Sequence, residues 1–339
     1  MAERAEKSNR AGSAAVSTRV RLARNLRDIP FPGRMDENSR KKLVADVSDA
    51  LSRAQGMGFI TIELQPGDRL RALSLVERHL ISPEFADKQD THALMLSAEE
   101  NISIMVIEED HLRIQVLGAS FCIERCMEEA LMIDTLLDEA LSYAFDERLG
   151  YLTHCPTNLG TGLRASVMLH LPALTSSGVM REIAAAAGKL GLAIRGLYGE
   201  GSQAKGAFYQ ISNQLTLGAT EEEITGRLSE TVSRVIAKED DVRAQLFAAN
   251  RPAFEDQVWR AAGILSHARV LTAEEGMALL SDLRLGSAAG LTGELTTERI
   301  DKLFQDIQPA TLSLGAGRDL TGQERDIRRA QIVRESIKI

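Results

Sequence analysis

Strand-like hydrophobic runs fill the first two thirds of this chain and then largely stop, and that change limits its fold more than any other feature. Up to Ile211 the apolar residues alternate or fall in short runs, at Phe59 to Leu64, Ala93 to Leu96, Ile102 to Ile107, Leu112 to Leu117, Ala165 to Leu171, Leu192 to Leu197 and Ala207 to Ile211. Runs of this length read as strands. Glu108, Glu109, Asp110 and His111 separate two of them, which predicts antiparallel neighbours joined by an acidic turn. Helical spacing interrupts the strands at Glu37 to Met57, Glu124 to Glu147 and Met180 to Leu190. From Thr220 strand-like alternation largely stops. Thr220 and Glu223 carry a capping-box signature, and Ile224, Leu228, Val232, Val235 and Ile236 recur at helical spacing. Thr272 and Glu275 open another helix in Glu274 to Leu283, and Glu324 to Ile337 reads as the last. Mixed helices and hairpins followed by helices alone predict an α+β domain and then a helical one.

At 339 residues the chain exceeds what one hydrophobic core usually serves, about 250 to 300 residues. The expected division is a flexible lead-in over 1–14, a catalytic domain over 15–242 and a helical C-terminal domain over 243–339. A net charge of -8 without a long basic run argues against nucleic-acid binding. The three cysteines, Cys122, Cys126 and Cys155, are too few for a disulfide framework and suit a reducing compartment. The polar N-terminus and the lack of long apolar runs predict a cytoplasmic protein without a membrane span.

The chain has no GxxxxGK[ST] loop, no GxGxxG after a strand, and no protein-kinase HRD or DFG element. Phosphoryl transfer still needs only positive charge on the phosphates, a divalent metal and a nucleophile held in line. Arginine forks supply such charge. Arg19 and Arg21 share one face of a strand-like segment, Arg113 follows the acidic turn, Arg164 ends a glycine-containing loop, and Arg195 precedes Gly196. Singly, each also reads as a solvated surface charge. A guanidinium acceptor would require carboxylates to orient it and take its proton. Glu109 in the turn and Glu200 between Gly199 and Gly201 are the candidates, with ordinary loop glutamates as the plain alternative.

These residues sit in Ser17 to Arg21 (STRVR), Glu108 to Arg113 (EEDHLR), Cys155 to Ser166 (CPTNLGTGLRAS), Arg195 to Ser202 (RGLYGEGS) and Tyr209 to Asn213 (YQISN). In this order they resemble the motifs of the phosphagen kinases, an ATP:guanido kinase superfamily. Over residues 16 to 339 the chain is most similar to the bacterial protein-arginine kinase branch, whose RDxxRA motif is matched by Arg325, Asp326, Ile327, Arg328, Arg329 and Ala330.

The resemblance implies an antiparallel catalytic sheet flanked by helices. It implies ATP and Mg2+ as cofactors, with Arg19, Arg21, Arg113, Arg164 and Arg195 on the nucleotide phosphates. His79, Ser17, Thr18, Val20, Ala165, Ser166, Val167, Met168, Gly196, Leu197, Tyr198, Gly199 and Glu200 would frame the nucleotide. Glu109 and Glu200 would hold the substrate guanidinium, with Cys155 beside it, and the RDxxRA segment would bind phosphoarginine. Unaided by the resemblance, His79 reads as structural, Cys155 as a small buried hydrophobe and RDxxRA as a charged helix face. The implied partners are protein substrates, a Clp-type ATP-dependent protease, a stress-gene repressor, a zinc-containing activator and a second copy of the chain. Ile107 departs from the family, which usually has Asn there; capping of the strand is one reading of it. Cys122 and Cys126 are one helical turn apart with no further ligands nearby, so no metal site is expected. Two other functions stay open: a kinase of a small guanidino compound such as free arginine, and a silent phosphoarginine-binding adaptor.

Overall fold

The computed structural model describes residues 14–54, 56–65, 67–196 and 205–337. They pack as two compact units that interleave along the chain. The first holds residues 17–167 and 212–229; the second holds the described parts of 1–16, 168–211 and 230–339.

The first unit starts on β1 (Ala15–Arg24), whose opening residues belong to the second. Helix α1 (Glu37–Leu51) is capped by Asp36, which accepts the Ser39 N–H, and buries Leu43, Val44, Val47, Ala50 and Leu51, the predicted face. After β2 (Ile60–Glu63) come α2 (Arg69–Glu77) and the single-turn α3 (Pro83–Ala86). Strands β3 (Ala93–Leu96), β4 (Ile102–Val106) and β5 (Leu112–Ala119) continue as an antiparallel meander with β2, in the register Ile60 opposite Leu96, Ala93 opposite Val106 and Val106 opposite Leu112. Every residue of β3 and β4 is buried, which explains why both are apolar apart from Ser103. Strand β1 lies antiparallel against β5, with Arg19 opposite Leu117 and Arg21 opposite Gln115.

Helix α4 (Ile123–Leu141) stops short of the predicted Glu147. Ser142 takes a φ of 56° and ends the turn, while the Asp138 carboxylate accepts the Tyr143 N–H at 2.7 Å. The chain then forms the small hairpin β6 (Phe145–Asp146) and β7 (Gly150–Tyr151). Strand β8 (Leu163–His170) begins before the predicted Ala165, so Arg164 is a strand residue rather than the end of a loop. A buried pair fixes this region: Arg24 meets Asp134 at 2.8 Å, donates to the Thr161 carbonyl at 2.9 Å, and lies 3.4 Å from the Tyr151 ring centroid.

The second unit carries the end of β8, then α5 (Pro172–Ser176), α6 (Met180–Lys189), β9 (Leu192–Gly196) and most of β10 (Phe208–Asn213). The strand order is β2-β3-β4-β5-β1-β8-β10-β9. Helix α7 (Glu221–Ala249) starts at the predicted box, Thr220 and Glu223 exchanging two 3.2 Å bonds. Helices α8 (Arg251–His267), α9 (Ala273–Ala288), α10 (Thr297–Asp306), α11 (Pro309–Gly315) and α12 (Gly322–Ser336) follow. Thr272 caps α9 by accepting the Glu275 N–H at 3.2 Å. Helix α12 opens two residues before the predicted Glu324, on a full capping box between Thr321 and Glu324. The late helices close a small core of their own at Phe254, Val258 and Leu285, but their other core takes in a strand: Leu265, Leu271, Leu280, Leu283, Ile300 and Val333 gather around Phe208 of β10, with Val16 and Met168 packed against them. Polar ties repeat that link. His170 Nε2 lies 2.8 Å from Ser281 Oγ, and Arg284, paired with Asp301, also reaches the Ala15 carbonyl at 3.4 Å. The boundary drawn from the sequence at residue 243 falls inside α7.

Candidate active site

Strand alternation decides where the arginines stand. Val20, Leu22 and Arg24 of β1 are buried, while the alternate Arg19 and Arg21 are less so and share the other face with Ser17. Arg113 enters from β5, opposite Ala23, and Arg164 from β8. Arg113 and Arg164 are close enough to depress both Arg19 and Arg21. Arg19 is lowered to about 10, first by burial and then by Arg113 and Arg164. Arg21 is lowered well below its ordinary value, again by burial first, then by Arg19, Arg113 and Arg164. Its Nε is buried with no hydrogen-bond partner among the described residues. Cations that repel each other in a desolvated place destabilise the protein by themselves, and a polyanion reverses the sign.

His79 belongs to the same neighbourhood. Burial and then Arg19 lower its pKa to about 4, so its imidazole is neutral at physiological pH. It adopts a φ of 61°, and its carbonyl accepts from Gln115 Nε2 at 2.9 Å.

The acidic turn between β4 and β5 places two adjacent carboxylates differently. Ile107 lies past the end of β4, fully buried at a φ of 67°, and donates its N–H to the His111 carbonyl at 2.8 Å. It follows the last strand residue directly and begins the turn. That left-handed backbone suits Asn far better than a β-branched residue. Glu108 turns inward and accepts from Arg113 at 2.6 Å, Ser82 at 2.7 Å and the Glu109 N–H at 2.7 Å. Burial pushes its pKa up, but Arg113 and these bonds outweigh it and the net shift is down. Glu109 is exposed; burial, Asp110 and Glu108 together raise its pKa. Asp110 is buried and accepts the Asn25 Nδ2 and His154 backbone N–H, both at 2.6 Å. One carboxylate thus ties the turn carrying Glu109 to the residue before Cys155. Cys155 is half-buried, its Sγ 3.0 Å from Thr157 Oγ1. Glu108 and Asp110 have positioning geometry that the sequence reading did not assign, although both flank Glu109 in the quoted motif.

Other candidates spend their polar groups on the frame. Thr18 Oγ1 donates to the Ser120 carbonyl at 2.8 Å and accepts the Cys122 N–H at 3.0 Å. The Ala165 N–H goes to Asn213 Oδ1 at 2.8 Å, and Ser166 and Val167 are buried. Met168 lies against the second unit's core. Arg195 is exposed on β9 in the second unit, and Gly196 ends that strand. Leu197, Tyr198, Gly199 and Glu200 lie outside the described residues. On α12, Arg329 is fully buried and bonds the Ile307 and Leu271 carbonyls at 3.0 and 2.8 Å and Asp326 at 2.5 Å. Ala330 is in the core, Ile327 is exposed, Arg328 donates to Gln331, and Arg325 is half-buried.

Comparison with known proteins identifies the family. Residues 41–242 match the ATP:guanido phosphotransferase C-terminal catalytic domain, and residues 251–339 match the protein-arginine kinase McsB C-terminal domain. A protein-arginine kinase of Caldanaerobacter subterraneus subsp. tengcongensis is 43% identical over 321 residues, covering 94% of this chain and 95% of the relative. Another, from Symbiobacterium thermophilum, is 45% identical over 326 residues, covering 94% and 92%. The chain belongs to the protein-arginine kinase branch of the ATP:guanido phosphotransferases.

Among solved structures, the duplicated taurocyamine kinase of Schistosoma mansoni with bound transition-state analog components aligns with a TM-score of 0.61 at 26% identity, covering 79% of this chain and 39% of that one. A lombricine kinase aligns at 0.60 and 25% identity, covering 69% and 68%. As an ATP:guanido phosphotransferase the chain is an enzyme, with ATP as phosphoryl donor and magnesium as its companion ion. Among the described residues no group of three or more His, Cys, Asp or Glu could hold a metal ion. Magnesium binds chiefly through substrate phosphates and water, so this donor set suits an ion that arrives on the nucleotide. No helix among the described residues is long and apolar enough to cross a membrane.

Proposed function

We propose that this protein phosphorylates arginine side chains of other proteins, using ATP. The observation that carries the reading is the lowering of Arg19 and Arg21 by burial and then by the guanidiniums around them, Arg113 and Arg164 among them. Guanidiniums gathered in one desolvated place suit a chain of phosphates, and the protein-arginine kinase relatives match almost the whole length. In this reading Arg19, Arg21, Arg113 and Arg164, joined by Arg195, grip the phosphates, and the neutral His79 ring lies against the nucleotide without adding repulsion. Glu108 holds the Arg113 fork at 2.6 Å. Glu109, assisted by Glu200, orients the acceptor guanidinium and takes a proton from its nitrogen as the nitrogen–phosphorus bond forms and the bond from the γ-phosphorus to the bridging oxygen breaks. Magnesium neutralises charge on the phosphates. Asp110 keeps the Glu109 turn and the Cys155 loop in one frame.

Residues 243–339 form the phosphoarginine-reading and dimerising part in this proposal, with Arg325 and Asp326 of α12 as its contacts. Asp326 is engaged by Arg329, so the segment is held in shape before any ligand arrives. The products mark proteins for a Clp-type protease in the cytoplasm, with a stress-gene repressor and a zinc-containing activator as partners. The test follows phosphoarginine by phosphorus NMR after incubation with Mg-ATP and either free arginine or an arginine-rich protein. Signal with the protein substrate alone is expected, and Arg113→Ala should lower the rate by about 10³-fold or more. Signal with free arginine alone would assign the small-molecule activity, and none with either would assign a silent adaptor.

A further inference from the structure

Cys122 and Cys126 are not used by the reaction, yet they are built as a pair. Cys122 is the N-cap residue of α4 and Cys126 lies in its first turn, with the two Sγ atoms 3.6 Å apart. Room for both sulfurs comes from β5. A Cβ added at Gly118 would stand 2.3 Å from Cys122 Sγ and 2.7 Å from Cys126 Sγ, so only glycine leaves this space. The two thiols differ in access, Cys122 being half-buried and Cys126 fully buried. They differ in charge as well. The hydrogen bond from Cys126 lowers the Cys122 pKa to about 6 against the effect of burial, with Thr18 and Arg125 assisting, and the Arg125 Nη2 lies 3.6 Å from its sulfur. The same hydrogen bond and burial raise Cys126. An accessible thiolate beside a buried, protonated thiol is the division of labour between an attacking and a resolving cysteine.

We propose that Cys122 and Cys126 form a redox-active dithiol that a hydroperoxide converts to an intramolecular disulfide. The Cys122 thiolate attacks the outer peroxide oxygen; the O–O bond breaks, and water or an alcohol leaves after taking up a proton. Cys122 is then a sulfenic acid. The Cys126 sulfur attacks it, the S–O bond breaks, and hydroxide leaves with the Cys126 proton as water. Two thiols give up two electrons and the peroxide accepts them. Closure requires the sulfurs to move from 3.6 Å to about 2.0 Å. The Cys122 N–H is held by Thr18 in β1, next to Arg19, so the disulfide forms one hydrogen bond away from the phosphate-gripping strand.

The test treats the full-length protein with hydrogen peroxide, blocks free thiols and maps tryptic peptides without reduction. Cleavage after Arg125 separates the two cysteines. The expected product is therefore Ile114–Arg125 joined to Cys126–Arg148 by the disulfide, and a reductant should release it. In Cys126→Ser, Cys122 should stop at the sulfenic acid and be labelled by dimedone. In Gly118→Ala the linked pair should fall by at least about tenfold, while circular dichroism reports whether that variant is folded. Recovery of both thiols free, of Cys122 linked to Cys155 or to a second molecule, or of Cys122 over-oxidised beside a reduced Cys126 would overturn the proposal.

Discussion

Glu108 and Glu109 are neighbours whose carboxyls shift in opposite directions: burial acts to raise both, but Arg113 and Ser82 outweigh it at Glu108, whereas Asp110 and Glu108 add to it at Glu109. The consequences for pH are opposite too. The lowered Glu108 contributes stability that is present above the ordinary carboxylate value and is lost as pH falls through its own. The raised Glu109 binds its proton more tightly in the folded protein, so folding loses stability as pH rises through that value. If Glu109 accepts the guanidinium proton it must be ionised. The acid limb of kcat/KM is then expected above the ordinary carboxylate value of 4.5. Glu109→Gln should lower kcat by about 10²- to 10⁴-fold, leave KM for ATP nearly unchanged and remove that limb. A pH–rate profile of phosphoarginine formation checks all three, and an unaltered limb would exclude Glu109 as the base. A structural residue is expected to behave differently. Asp134→Ala leaves the Arg24 guanidinium buried without its partner, for a loss of about 3–5 kcal/mol in urea unfolding.

At the scale of elements, the sequence was most legible where chemistry is local. Thr220 and Glu223 announce α7 and make the reciprocal bonds that the signature requires. Strands β3 and β4 were legible because every side chain is buried. Helix α4 was read too long because Ala140 to Glu147 continues a helix-favouring composition, and its end depends on Ser142 adopting a positive φ, which composition does not encode. The arginines were found through motif spacing, but their crowding depends on the pairing of β1 with β5, a contact between residues about a hundred positions apart. Asp110 was unreadable for the same reason, since its partners Asn25 and His154 are distant in sequence. The box at Thr321 and Glu324 was missed although it fits the same rule as Thr220, Gly322 having disguised the helix start. It now carries a prediction. Thr321→Ala removes the cap of the helix bearing Arg325 and Asp326, and should cost about 1 kcal/mol. Hydrogen exchange should quicken at Glu324, whose amide loses the Thr321 Oγ1 acceptor, and remain slow at Val333 deeper in the core.

For the whole molecule, the matched regions end at 242 and resume at 251, whereas packing divides the chain elsewhere. The second unit's core joins Leu265, Leu280, Ile300 and Val333 from the late helices to Phe208 on β10 and to Val16 and Met168. Each fully buried leucine-sized side chain contributes about 1.5–3 kcal/mol, so the late helices account for most of the apolar burial around β10. His170 and Ala15 lose their polar partners Ser281 and Arg284 if those helices are absent. Val16 on β1 and Met168 on β8 pack against this core, so the late helices support those strand ends and, in the proposal above, also read phosphoarginine. A chain ending at Val242 is therefore expected to bind a fluorescent apolar dye and to leave the amides of Phe208 to Ile211 unprotected from hydrogen exchange. It should lose kinase activity even with substrates that need no second site. If those amides instead keep full protection and unfolding stays cooperative, residues 243–339 are a detachable domain and their contribution is confined to recognition.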